Sequence, residues 1–132
     1  MVPRHFLIVS YTTQSLTFKQ NDMYEYNAQV VRVIDGDTIV LNIDLGFKVF
    51  WKVSCRLHGI NCPELHSSNS EVRLMANASK DFTSKEMPIG KDVLISSVSL
   101  DKYGRPLVDV YYDDKHLNHE LLVNKLAVPY MV

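Results

Sequence analysis

With 132 residues, the chain fits one domain that is long enough for a sizeable hydrophobic core. Its composition, 46% hydrophobic and 22% charged, is that of a soluble globular protein, and no stretch reaches the length of a transmembrane helix. The formal net charge of −1 argues against nucleic-acid binding through a global basic field, but it leaves room for an enzyme with a locally basic cleft. Two cysteines favour a reduced intracellular protein over a disulfide scaffold.

The first half of the chain predicts an N-terminal extension followed by a three-stranded meander. Residues 1–25 are of mixed composition, and we expect an extension that is partly packed as a short strand over Phe6–Val9. Alternating apolar residues then predict two strands that are joined by the turn at residues 35–38, in which Gly36 takes the positive φ. A third strand is expected over residues 47–57.

The second half predicts a helix, two further strands and a short last helix. Ser68 and Glu71 stand at capping-box spacing. Val72, Met75, Ala76, Ser79 and Phe82 recur at helical spacing after them, and we expect Met75 and Phe82 to pack in the core. Strands follow around residues 93–98 and 107–112, and Asn118 is expected to cap the last helix. The elements suit a mainly β fold with α-helices (α+β), a five-stranded Greek-key barrel of the OB type with two or three helices, over residues 26–132.

A strand end and the loop after it carry the first candidate site. Residues of the third strand alternate, so Arg56 points away from the face that Leu57 shares with the core. Residues 59–63 break the strand and place Glu64 on a loop. A guanidinium fork can bind two phosphate oxygens, and a carboxylate can orient or deprotonate a water molecule. Taken alone, this run fits a strand, a turn and a surface ion pair better than a catalytic site.

Three segments together carry a stronger signal: residues 35–38 (Asp-Gly-Asp-Thr), 56–64 (Arg-Leu-His-Gly-Ile-Asn-Cys-Pro-Glu) and 101–105 (Asp-Lys-Tyr-Gly-Arg). In this order and at these spacings they resemble the staphylococcal nuclease (thermonuclease) family of calcium-dependent phosphodiesterases. The resemblance covers roughly residues 28–131. It implies a nuclease with one Ca²⁺ per site that hydrolyses phosphodiester bonds of DNA and RNA and leaves 3′-phosphate ends.

The resemblance also implies roles for individual residues. Arg56 and Arg105 match the two arginines that grip the scissile phosphate, and Glu64 matches the glutamate assigned as general base or water-orienting group. Asp37 matches a calcium-ligand aspartate, and Asp35 its acidic neighbour. The other implied positions are the backbone carbonyl of Cys62 on the metal and, beside the substrate's nucleotide, Lys102 and Tyr103.

Asn61 departs from the family pattern because it stands where well-studied members have a second metal-binding aspartate. Its amide oxygen can still bind calcium, but one negative charge is missing, so we expect weaker binding. Lys125 replaces an expected glycine after the last helix, where Asn124 is expected to take the left-handed turn. Tyr103 is open between substrate contact and packing, and Tyr130 between stacking on a nucleotide base and packing in the core.

The expected partner is DNA or RNA, with unpaired strands preferred because OB grooves suit them. We expect a monomer without membrane association, cytoplasmic because no signal peptide is clear, and of a size that suits a phage or mobile element. The competing hypothesis is a catalytically weak or inactive OB-type module that binds single-stranded nucleic acid, and a third is an interaction domain without nucleic acid. Arg56, Glu64 and Arg105 favour the enzyme, whereas the modest net charge and Asn61 favour the module.

Overall fold

The computed structural model describes residues 24–130, which form eight strands and two helices within that range. The strands are β1 (Tyr24–Asp35), β2 (Thr38–Gly46), β3 (Val49–Leu57), β4 (Ile60–Asn61), β5 (Asp92–Leu100), β6 (Pro106–Tyr112), β7 (Lys115–His116) and β8 (Val128–Pro129). The helices are α1 (Ser70–Glu86) and α2 (Leu117–Val123). The strand expected over Phe6–Val9 lies outside the described residues. Neither helix is long and apolar enough to cross a membrane.

Five strands form a closed ring. The order is β3-β2-β1-β5-β6, with β7 added to β6, and all of these neighbours are antiparallel. The ring is closed by a short parallel pairing of β3 with β6, in which Arg56 faces Leu107 and Leu57 faces Val108. The prediction of a mainly β fold with an OB-type barrel and two helices is therefore confirmed. A separate pairing joins β4 to β8 beside the ring.

The core lies inside the ring, and strand alternation fills it. Along β2, Ile39, Leu41 and Ile43 are buried and point inward, as the period of two predicted. On α1 the buried residues are Ala76, Ser79 and Thr83. Met75, expected in the core, is 53% exposed. That expectation was wrong because the helix presents small residues to the ring, which lets the two backbones approach closely.

The helix ends differ from the sequence prediction by one or two residues. Asn69, not Ser68, caps α1, since its Oδ1 accepts the N–H groups of Glu71 at 2.9 Å and Val72 at 3.3 Å. After α2, the left-handed conformation falls on Lys125 (φ 59°) and not on Asn124. The expectations for Ser68 and Asn124 were therefore wrong.

Asn118 is a buried residue within α2, so its predicted role as N-cap is wrong; His116 occupies that position without a side-chain cap. The amide nitrogen of Asn118 donates to the carbonyls of His58 (2.9 Å) and Val108 (3.1 Å), and its Oδ1 accepts from the N–H of Val110 (3.1 Å). One side chain thereby bonds three backbone groups, one directly after β3 and two within β6. These bonds hold α2 against the place where the ring closes.

We expect Asn118→Leu to lower the free energy of unfolding by about 2–3 kcal/mol, because the carbonyl of His58 and the N–H of Val110 lose their partner, whereas the carbonyl of Val108 keeps the N–H of His58. The matched control is Asn124→Ala, which removes one exposed hydrogen bond to the carbonyl of Glu120 and should cost less than about 0.5 kcal/mol. Denaturant unfolding measures both. Similar small losses for the two variants would contradict the assignment of Asn118 as the tie at the ring closure.

Candidate active site

The turn between β1 and β2 packs directly on α1, and this contact positions Asp37. Gly36 does not have the positive φ that the sequence suggested. A Cβ at Gly36 would stand 2.8 Å from the Cβ of Ser79 and 2.9 Å from the Sγ of Cys62, so close packing is what requires glycine. The hydroxyl of Thr83 also donates to the carbonyl of Gly36 at 2.8 Å. The turn is therefore held to the helix.

Asp37 is only 7% exposed, and both oxygens of its carboxylate accept hydrogen bonds. Its Oδ1 accepts the Thr38 hydroxyl at 3.2 Å, and its Oδ2 accepts the N–H of Cys62 at 2.8 Å. The same Oδ2 lies 3.3 Å from Nη1 of Arg56. Asp35 stands beside it, with its Oδ1 accepting the N–H of Asp37 at 3.2 Å. Two carboxylates and one guanidinium thus meet at the end of β3.

Asp35 carries the electrostatic strain of this pair. Burial, followed by the hydrogen bond and the charge of Asp37, raises the pKa of Asp35 from 3.8 to about 6. A group that prefers its neutral form in the fold opposes folding once it is ionised. A bound cation would relieve that penalty.

Cys62 is a packed thiol and not an activated one. Its side chain is buried against the turn. Burial, with added contributions from the charges of Asp37 and Asp35, raises the pKa of Cys62 to about 12. The thiol therefore stays protonated at neutral pH, which is the opposite of what a nucleophilic cysteine needs.

Arg56 is fixed by three acceptors. Its Nη1 donates to the carbonyl of Leu57 at 3.0 Å and pairs with Asp37, while its Nη2 donates to Oδ1 of Asn61 at 3.0 Å. The side chain is 14% exposed, and its Cζ lies 6.0 Å from the ring centre of Tyr130. A guanidinium held in this way presents its remaining edge in one orientation.

Arg105 is fixed by a different acid. Asp101 accepts the N–H groups of Tyr103 (2.8 Å) and Arg105 (2.9 Å) with Oδ1, and pairs with Nε of Arg105 at 2.7 Å through Oδ2. Desolvation acts to raise the pKa of Asp101, but these hydrogen bonds outweigh it, so the pKa lies below its ordinary value. The ring of Tyr103 covers the cationic groups of Lys102 and Arg105, at 5.2 Å and 5.5 Å from its centre.

One cleft of about 370 Å³ brings most of the predicted residues together. Its lining includes Arg56, Asn61, Glu64, Lys102, Tyr103, Arg105 and Tyr130. The parallel pairing of β3 with β6 explains this, because it sets the last residues of β3 beside the residue that precedes β6. Asp35, Asp37 and Cys62 do not line the cleft. Asp37 contacts the cleft residue Arg56, and Cys62 follows the cleft residue Asn61 in the chain and donates its N–H to Asp37.

Two further residues clarify the site. Tyr130 is 46% exposed, so it is not part of the buried core, and its N–H donates to the carbonyl of Gly59 at 2.9 Å. Asp101 was not singled out from the sequence, although it holds Arg105. An aspartate that opens a short glycine-containing turn is typical of such backbone capping, and that signal was present.

The comparisons with known proteins agree with this geometry. Residues 54–132, more than half of the chain, match the model of the family described as staphylococcal nuclease homologue. The chain belongs to this family. A thermonuclease of Staphylococcus hyicus is 30% identical over 125 residues, and one of Staphylococcus intermedius is 32% identical over 124 residues. Each alignment covers 92% of this chain and 71% of the relative.

The staphylococcal nuclease homologue model begins two residues before Arg56 and includes the cleft residues from both halves of the ring. The alignments with the thermonucleases, by their extent, also include the turn that carries Asp37. The family resemblance read from three short segments is thus confirmed over most of the chain.

We expect Asp35→Asn to stabilise the fold at neutral pH and not in acid. Below pH 3.8 the carboxyl of Asp35 is mostly protonated in both the folded and the unfolded chain. Between pH 3.8 and about 6 it ionises more readily in the unfolded chain, so the cost to folding stability grows, and above pH 6 that cost is constant. The difference between a pKa of 3.8 and one of about 6 corresponds to about 3 kcal/mol, and solvent screening of the partly exposed carboxyl reduces this. The variant should therefore gain about 2 kcal/mol at pH 7.5 and almost nothing near pH 3.5. The measurement is denaturant unfolding in the presence of a chelator.

The control for this experiment is Asp81→Asn on α1, an exposed carboxylate. It should show no comparable change between the two pH values. A gain for Asp35→Asn that is the same at pH 3.5 and 7.5 would mean that charge repulsion is not its cause.

Proposed function

We propose that the chain is a calcium-dependent nuclease that hydrolyses phosphodiester bonds of DNA or RNA. Membership of the family and the names of the two thermonuclease relatives support a nuclease. The observation that carries the proposal is that Arg56, Glu64 and Arg105 line the same cleft. These are the residue types that phosphodiester hydrolysis needs: two cations for the phosphate and a carboxylate for the water.

The two arginines bind and polarise the scissile phosphate. Arg56 lies on β3 and Arg105 in the turn before β6. Each is held by an aspartate, Asp37 and Asp101 respectively, so their positions are set before substrate enters. As water attacks phosphorus, negative charge grows on the equatorial oxygens. Fixed guanidiniums facing those oxygens lower the barrier by about 3 kcal/mol per donor.

Glu64 acts on the attacking water. It lies on the loop after β4, its side chain is exposed, and it faces the cleft that holds both arginines. The carboxylate takes a proton from water as the new P–O bond forms. The bond from phosphorus to the 5′ oxygen breaks, and that oxygen takes a proton from solvent. The products are a 3′-phosphate end and a 5′-hydroxyl end.

The donor set beside Arg56 fits calcium. Asp37, Asp35 and the amide oxygen of Asn61 are hard oxygen donors, and the carbonyl of Cys62 would be a fourth. Burial first, and then the hydrogen bond and charge of Asp37, raise the pKa of Asp35, and a cation bound there would favour its ionised form. Among residues 24–130 no group of three His, Cys, Asp or Glu side chains forms a metal cluster, so a metal here would depend on amide and carbonyl oxygens as well as carboxylates. When bound, calcium supplies Lewis-acid stabilisation of a phosphate oxygen.

The substrate contacts are proposed for three exposed side chains at the mouth of the cleft: Lys102, Tyr103 and Tyr130. Aromatic faces stack on unpaired bases, and an ammonium group neutralises a backbone phosphate. This favours single strands. The competing function, an inactive module that binds single-stranded nucleic acid, is favoured by the missing carboxylate at Asn61.

Substitution of Glu64 tests the mechanism. Glu64→Ala should reduce the calcium-dependent digestion of heat-denatured DNA by roughly 10²–10⁴-fold, because the general base is removed while the arginines remain. Digestion is followed with calcium, with magnesium and with a chelator, and cutting should require calcium.

The matched control is Glu71→Ala, an exposed carboxylate in the first turn of α1 that does not line the cleft. It should cut like the parent, whereas loss of cutting in Glu64→Ala prepared in the same way excludes a contaminating nuclease. Equal activity of Glu64→Ala and the parent would refute the assigned base. DNA binding without cutting at high calcium would favour the module instead.

Asn61→Asp should tighten calcium binding by about tenfold, because it restores a carboxylate to the donor set. The readout is the calcium dependence of thermal unfolding, since a ligand that binds only the folded state raises stability with its concentration. Asn69→Asp, which keeps the cap of α1, is the control. A calcium response that is unchanged in Asn61→Asp would place the metal elsewhere.

A further inference from the structure

The hairpin of β2 and β3 projects beyond the barrel. Residues 44–52 are all exposed, and Ile43 is the last buried residue of β2. The tip carries Phe47, which is fully exposed, and β3 carries Phe50, which is 58% exposed. We call residues 44–52 the ribbon. Large apolar side chains exposed together on one such element are typical of a contact surface.

The outer face of β3 is continuous with the cleft. Cys55 and Leu57 are buried in the core, so alternation places Arg56, Ser54, Lys52 and Phe50 on the opposite face. A rise of about 3.3 Å per residue sets Lys52 about 13 Å and Phe50 about 20 Å from Arg56 along the strand. The guanidinium is thus the first group of a row that leaves the cleft.

The other wall of the cleft follows the same direction. Arg56 is paired in parallel with Leu107, so the residues that precede each of them run side by side. Ser54 therefore stands at the level of Arg105, and the turn at residues 101–105 flanks the row. Arg56 is the first residue of β3 that lines the cleft, so the exposed outer face of β3 begins at the edge of the cleft.

The side chains of the ribbon have the chemistry of a single-strand binding surface. Lys48 and Lys52 alternate with Phe47 and Phe50, and neither lysine has an ion pair within residues 24–130. Asp44, which pairs with Phe50 across the hairpin, is exposed, and its Oδ1 accepts the N–H of Gly46 at 2.8 Å. Stacking faces alternating with free ammonium groups suit bases and phosphates.

We propose that a nucleic-acid strand held in the cleft continues along the outer face of β3. Lys52 binds a backbone phosphate and Phe50 stacks on a base, two to three nucleotides from the phosphate held by Arg56. This subsite rests on the proposed function, since it extends the same strand. It makes affinity depend on the length of the substrate and not only on the bond that is cut.

Binding of thymidine oligonucleotides of three and ten residues tests the subsite. Binding is measured in the Glu64→Ala background with calcium, so that neither oligonucleotide is cut. The single tryptophan, Trp51, lies between Phe50 and Lys52 in sequence and serves as a fluorescence reporter. Phe50→Ala and Lys52→Ala should each weaken binding of the ten-residue strand about tenfold and leave the three-residue strand unchanged. Lys52→Ala should also reduce the salt slope by roughly 0.7.

The matched controls are Lys85→Ala and Leu74→Ala, an exposed cation and an exposed apolar residue on α1. They should alter neither affinity. If the ribbon variants bind both lengths like their background, or lose both equally, the subsite is refuted while the nuclease proposal stands. If the background itself binds neither length, the proposed function fails as well. If the variants change only self-association in size-exclusion chromatography, the ribbon is an interface between copies, and the subsite is refuted.

Discussion

The parallel contact between β3 and β6 is the constraint on which the site depends. Only two residue pairs form it, Arg56 with Leu107 and Leu57 with Val108. Around it, the N–H of His58 donates to the carbonyl of Val108 at 2.8 Å, and Asn118 satisfies the backbone groups left on either side. Without this closure the ring is an open sheet with β3 and β6 at opposite edges. Arg56 on β3 and Arg105 before β6 then do not face one cavity.

The two arginines are held by opposite means. Arg56 is nearly buried and leans on Asp37, a carboxylate that is itself committed to Thr38 and Cys62. Arg105 is more exposed, and its partner Asp101 is bound within the same short turn. One arginine is therefore positioned by tertiary packing and the other by local structure. Damage to the core is expected to displace the first and spare the second.

Much of the fold was readable because its signals are local. Period-two alternation in β2 and β3 gave the strands and their inward faces, and the glycine-containing turns gave their ends. The pairing of three short motifs with those elements led to the cleft residues. Contacts between segments that are distant in the chain could not be predicted from the sequence. A glycine in a hairpin turn predicts a positive φ, but at Gly36 glycine is required because a Cβ there would clash with Ser79 on α1. The local sequence around Asn118 predicts an N-cap, because nothing in it shows that the side chain meets His58 and Val110.

The same limit applies to Met75 and Asn124. Helical spacing identifies a face, but its width depends on the partner, and α1 meets the ring through Ala76, Ser79 and Thr83 only. Which residue at a helix end turns left-handed is decided within one position by the chain that follows. Lys125 accepts that conformation here, where the N–H of Leu126 reaches the carbonyl of Leu121 at 2.9 Å.

The tie made by Asn118 also bears on when the site comes into being. The side chain that secures the ring closure belongs to the last helix described, and Tyr130, which follows it, completes the cleft. Long-range pairings of this kind form late, after the entropy of the intervening loop has been lost. A ribosome-bound chain that has delivered Arg56 and Glu64 still lacks the partner strand and its lock. The cleft is therefore assembled only after α2 and the residues up to Tyr130 have joined the ring, and a partly synthesised chain does not contain it.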